Sequence, residues 1–143
     1  MHYSKDKSTY ILSFEQGEEV IATITEFCKK EDIKNAHFSG IGAVRDLSCG
    51  YYALEEKKYY FTSYEELVEV ASLTGNVMLK EGAPFVHAHG VFTNTRNEAF
   101  GGHIQEMQVG VALEIVLTVF DDELERLHNE KTGLYHISCE ARF

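Results

Sequence analysis

Tryptophan is absent from the 143-residue chain, proline occurs once and cysteine three times. Three cysteines without paired spacing give no disulfide framework and no Cys-rich zinc motif, and are read as buried free thiols. Basic residues are also scarce, 13 against 23 acidic ones, for a net charge of -10. An acidic surface repels phosphate backbones, so direct nucleic-acid binding is not expected. No apolar run is long enough for a signal peptide or a membrane span, which leads us to expect a cytoplasmic protein without membrane contact. No internal repeat, low-complexity tract or linker interrupts the chain, and we read residues 1–143 as a single domain. Nor is there a P-loop, a Rossmann glycine fingerprint or a Gly-X-Ser-X-Gly elbow; "GIGAV" lacks the third glycine and the helix pattern that a nucleotide loop needs, and reads as a bent strand in which Gly40 and Gly42 mark a bulge or a close backbone approach.

What is present favours strands. Eight tyrosines and nine phenylalanines suit pleated surfaces. Ser8 to Phe14 alternates as a strand does, and "VALEIVLTVF" (Val111 to Phe120) is the most apolar segment, expected at the centre of a sheet. "EEVIATITEFCKKEDI" is the one strong helix, with Val20, Ile21, Ile24, Phe27 and Cys28 on one face, acids in the first turn and lysines in the last. "DELERL" reads as a short helical turn, Gly75-Asn76 as lying between strand-like runs, "KEGAP" (Lys80 to Pro84) as a turn, and "GLYHISCEARF" as a closing strand. Many strands and no regular βαβ alternation indicate an α+β fold with a mainly antiparallel sheet.

Three of the seven histidines fall between Pro84 and Ile104, in "PFVHAHGVFTNTRNEAFGGHI". His87 and His89 lie two apart on a predicted strand, so they share a face about 6.5 Å apart, with Val86, Ala88 and Gly90 opposite. A return strand after the polar loop would bring His103 alongside, and Gly101 and Gly102 would admit a close backbone approach. Three neutral imidazoles suit zinc with a fourth position for water or substrate; nickel, copper and iron also accept nitrogen donors. Hydrogen-bonded histidines at a sheet edge or subunit interface are the plainer alternative. The grouping favours metal. His2, His37, His128 and His136 have no comparable neighbours. Glu114, inside the apolar strand, is a candidate partner for the imidazoles or a general acid/base, or else simply exposed. Arg96 is a candidate for a substrate carboxylate, although a solvated loop arginine is the simpler reading, as it is for Glu98 and Glu106 beside His103.

The stretches "FSGIGAV" (Phe38 to Val44), "SLTGNV" (Ser72 to Val77), "PFVHAHGVF" (Pro84 to Phe92), "GGHI" (Gly101 to Ile104) and "LEIVLT" (Leu113 to Thr118) together resemble the plants and prokaryotes conserved (PPC) domain, in the family's order and over nearly the whole chain. The resemblance implies a strongly bent, mainly antiparallel sheet with one long N-terminal helix, a homotrimer, and, as in many bacterial members, a metal on His87, His89 and His103. Plant members join the domain to Arg-Gly-Arg-Pro AT-hooks; none occurs here, so their DNA-binding role does not carry over. The histidine pattern is also similar to that of acetolactate decarboxylases, an analogy of fold only. Two functions therefore stand at this stage: a zinc-binding homotrimeric domain with a binding or assembly role, and a zinc-dependent hydrolase or decarboxylase-like enzyme acting on a small carbonyl substrate. Small-molecule sensing in the trimer cleft is a third option, with no ligand indicated.

Overall fold

A computed structural model describes residues 1–139. The elements run β1 (His2–Asp6), β2 (Thr9–Glu15), α1 (Val20–Lys30), β3 (Ala36–Ala53), β4 (Lys58–Tyr64), β5 (Val68–Lys80), β6 (Ala83–Thr93), β7 (Ala99–Val119), β8 (Arg126–Asn129) and β9 (Leu134–Ile137). Seven strands form one sheet in the order β1-β2-β7-β6-β5-β3-β4, and β7 also pairs with β3. The named strand pairs are all antiparallel. Because β3–β5, β5–β6, β6–β7 and β7–β3 are all hydrogen-bonded, these four strands close a ring. That closure is the strong bend that the family resemblance implies. It depends on two long strands changing neighbours. The first half of β3 lies beside β5 and the second beside β4. β7 leaves β6 after His103 and meets β2 from Ala112 onward. Register shifts between Gly40 and Gly42, and again between Arg45 and Cys49, absorb the change of direction.

The central position expected for Val111 to Phe120 is observed, since β7 pairs with β2, β3 and β6. Leu113, Ile115 and Leu117 point inward and are fully buried, alongside Leu12, Phe14, Phe38 and Phe92. The helix packs over β6 and β7 with Val20, Ile24, Phe27 and Cys28 buried, which is the stripe read from the sequence. Burial drives the Cys28 thiol up to about 12, as expected for an inert core cysteine. Cys49 is likewise buried, whereas Cys139 is exposed, contrary to the buried-thiol expectation.

The helix itself needs correction. It is not long: α1 spans 11 residues and has no acid in its first turn. Glu19 stands one residue before it as the N-cap, its side chain accepting the Ala22 N–H, while its second carboxylate oxygen takes the Met107 N–H (3.2 Å). Tertiary contact with β7 therefore fixes where the helix starts. At the other end the Glu31 N–H closes on the Phe27 carbonyl (3.0 Å) and Asp32 turns left-handed (φ 51°), so Asp32 and Ile33 fall outside. Two further readings change. Gly75-Asn76 lies within β5 and not between strands, because the β5–β6 reversal occurs at Glu81-Gly82, both with positive φ (53° and 78°) as a two-residue hairpin requires. The predicted turn in "DELERL" gives way to β8, which begins at Arg126 and pairs with β9. Of the expected closing strand, Leu134–Ile137 is extended, and residues 140–143 lie outside the described residues.

Candidate metal centre

Along β6, Val86, Ala88, Gly90 and Phe92 are buried while His87 is half-buried and His89 exposed, as the alternation predicts. β7 returns antiparallel, with His103 directly opposite His89. The approach is close: a Cβ at Gly101 would lie 2.1 Å from the Gly90 carbonyl oxygen, and one at Gly102 would lie 2.5 Å from that of Gly50. No side chain fits either gap, which explains the glycine pair before the histidine. The three ring centroids are 5.1, 5.1 and 5.3 Å apart, and one ligating nitrogen from each ring lies within 4.8 Å of the others. Tyr59 of β4 stacks on His103 at 4.7 Å and limits its rotation.

The environment lowers the basicity of His87 and His103. Burial, then the Arg126 guanidinium and the neighbouring imidazoles, lower His87 to about 4. Burial, His89 and Arg126 lower His103 as well. Neutral imidazoles are the form that binds metal. His103 Nδ1 is buried without a hydrogen-bond partner, which is costly unless something ligates it. A donor set of three imidazoles, one with a partnerless buried nitrogen, fits a zinc-type ion.

Arg126, which sequence reasoning missed, lies against this group. It is only 6% exposed. Its Nη1 donates to the Tyr135 carbonyl (3.0 Å), and its Nη2 donates to Asn76 Oδ1 (2.8 Å) and His87 Nδ1 (3.1 Å). A guanidinium has no lone pair, so His87 accepts, and the neutral ring carries its proton on Nε2. A cation seated on His87 must displace either that proton or the guanidinium. A cavity of about 630 Å³ opens here, lined by His87, His103, Arg126, Tyr59, Phe85 and Tyr135 among others.

The other sequence candidates lie elsewhere. Glu114 is exposed on the outer face of β7, opposite Ser13 and Ile41. No acid, Glu114 included, joins the three-histidine group among the described residues. Arg96 is exposed at the β6–β7 turn and pairs with Glu98 (2.7 Å), away from the cavity; Glu98 and Glu106 are solvated. Of the remaining histidines, His136 alone lines the cavity.

The sequence model of the Plants and Prokaryotes Conserved (PCC) domain matches residues 1–121. The chain belongs to this family. Among solved structures, a plant- and prokaryote-conserved (PPC) protein of Pyrococcus horikoshii is 35% identical, with a TM-score of 0.85 over 99% of this chain and 97% of its own. The metal-containing protein of Archaeoglobus fulgidus is 34% identical, with a TM-score of 0.84 over 94% and 95%. A Bacteroides thetaiotaomicron protein described provisionally as DNA-binding reaches a TM-score of 0.94 at 26% identity, over 98% of each chain. No curated protein matches the chain.

Proposed function

We propose that this PCC-domain chain is a metal-binding domain, with zinc as its ion on His87, His89 and His103, and that it works as a homotrimer through binding and assembly. The observation that carries this reading is the convergence of three ligating nitrogens within 4.8 Å. The partnerless His103 Nδ1 and the suppressed basicity of His87 and His103 support it. So does the likeness to the Archaeoglobus fulgidus protein, which is described as metal-containing. Self-association is supported by the outer face of the sheet, where Ile11, Ile41 and Val116 are 48%, 60% and 45% exposed on neighbouring strands. An apolar patch of this kind usually marks a contact surface. The acidic balance argues against direct DNA contact, and no helix among the described residues is long and apolar enough to cross a membrane. Melting and sedimentation with and without a chelator test the reading. Chelation should lower the melting temperature or dissociate a trimer; a monomer whose stability ignores chelator contradicts it.

A second reading, zinc-dependent hydrolysis or decarboxylation of a small carbonyl compound, draws support from the cavity that opens onto His87 and His103. Glu114 is the sequence's candidate general acid/base for this reading, although it does not join the three-histidine group. Turnover of small esters or 2-keto acids above that of free zinc would establish it, and its absence would leave the binding role.

A further inference from the structure

The cavity beside the histidines carries the opposite charge balance to the rest of the chain. The net charge is -10, yet Arg126 and Lys80 line this space and no Asp or Glu does, among the described residues. Both cations lie over aromatic faces: Lys80 Nζ is 5.0 Å from the Phe85 ring centre and 4.0 Å from that of Tyr135, and the Arg126 guanidinium carbon is 5.7 Å from that of Phe85. Arg126 is nearly buried but has no carboxylate partner among the described residues, and its Nε has no hydrogen-bond partner among them. Buried charge without a counter-charge is expensive, and such groups are normally paired. A divalent ion on three neutral imidazoles would add two more positive charges against the same guanidinium. Among the described residues, the cavity lining supplies no counter-charge.

We propose that this cavity binds a small organic monocarboxylate with a compact apolar body, its carboxylate held by Arg126 and its body lying among Phe85, Leu134, Tyr135 and Ile137. A guanidinium matches the planar carboxylate, and the flat apolar walls favour an organic anion over a fully hydrated inorganic one. The inference deepens the proposed metal centre and rests on it for one element only, the coupling of the two. A cation that takes His87 at Nδ1 releases an Nη2 donor of Arg126, so zinc should tighten carboxylate binding.

The test titrates benzoate, acetate and inorganic phosphate by calorimetry into the full chain, with and without zinc, with the bound zinc counted by elemental analysis. Benzoate is expected to bind the zinc-loaded protein about tenfold more tightly than acetate or phosphate, because only it buries an apolar body. Arg126→Lys should weaken benzoate about tenfold while zinc content holds, since an ammonium does not replace a planar fork. If that variant melts well below the parent, Lys80→Met, which leaves the Arg126 hydrogen bonds intact, should weaken benzoate roughly threefold by loss of a nearby charge. Zinc-loaded protein that binds no benzoate, or binds phosphate equally well, overturns the inference and leaves the metal centre standing. So does benzoate affinity indifferent to whichever variant folds. Arg126-dependent benzoate binding in a protein that takes up no zinc keeps the carboxylate site and removes the metal reading.

Discussion

On one side of the cavity, the histidines stand on β6 and β7, whose backbones are locked into a closed ring of ladders. On the other side, Arg126 stands on the β8–β9 hairpin, which among the described residues forms a separate two-stranded sheet, bridged to β5 at Leu79 and Glu125. That hairpin and the segment leading into it are tied to the ring largely by side chains. Asn35 holds both the carbonyl and the N–H of Leu124 (2.8 and 2.7 Å), Tyr52 donates to the Thr132 carbonyl (2.6 Å), and Arg126 donates to Asn76. The ring fixes the histidines to the precision of a strand register. The hairpin hangs from a few hydrogen bonds, each worth about 1 kcal/mol net, or about 1.5–3 kcal/mol where one partner is charged. The ligand set and the cavity wall should therefore fail differently.

The hardest test of this contrast is Gly101→Val. Its first side-chain atom would meet the Gly90 carbonyl oxygen, and the atoms around it are Gly90 and Val91 backbone, which cannot swing aside as a flexible side chain can. We expect a loss of about 3 kcal/mol or more, or no folded protein, in denaturant melts. Near-parental stability would mean that the β6–β7 approach is looser than described.

Arg126→Met is expected to act mainly on the other side. Removing the guanidinium leaves the Asn76 amide oxygen, the Tyr135 carbonyl and His87 Nδ1 without this donor, at about 2 kcal/mol. Hydrogen exchange should accelerate across β8 and β9 and stay unchanged in β6 and β7. Equal acceleration in both would show that hairpin and ring unfold as one unit.

A smaller effect is expected from pH. In the folded chain His87 is lowered to about 4 from the ordinary 6.5, and His103 is lowered too. The unfolded chain thus binds more protons across this window, so stability falls as pH drops from about 6.5 toward 4. In zinc-free protein, His87→Gln should flatten part of that slope. An unchanged slope would show that His87 is not held neutral by its surroundings.

The same contrast decides what could be read from the sequence. Strand alternation assigned His87 and His89 to one face, and the glycine pair announced the close return of His103, because both signals are local. The bend of the sheet was not local. It arises from β3 and β7 changing partners; "GIGAV" marked a bent strand, which the register shift between Gly40 and Gly42 bears out, but the closure was indicated by the family resemblance alone. The helix was overextended because its charges suggested a longer element, whereas Glu19 is drawn out of the helix to cap it and hold β7. For Glu114, alternation gave a face and not the neighbours across strands. Arg126 carried no signal. It sits in "DELERL", which resembles a solvated helical turn, beyond every motif of the resemblance and beyond the matched residues 1–121. Its burial comes from a hairpin folding back over the ring, and no short window of sequence contains both partners.

The central claim is that the three imidazoles hold one divalent ion. Zinc content after reconstitution and desalting, measured for the parent chain and for His87→Ala, His89→Ala and His103→Ala, tests it most directly. The parent should retain one equivalent per chain, and each variant should lose affinity by about 100-fold or more, at least the upper range for disturbing a ligand's outer partners. A parent chain that retains no zinc, or three variants that retain it as well as the parent, would contradict the account.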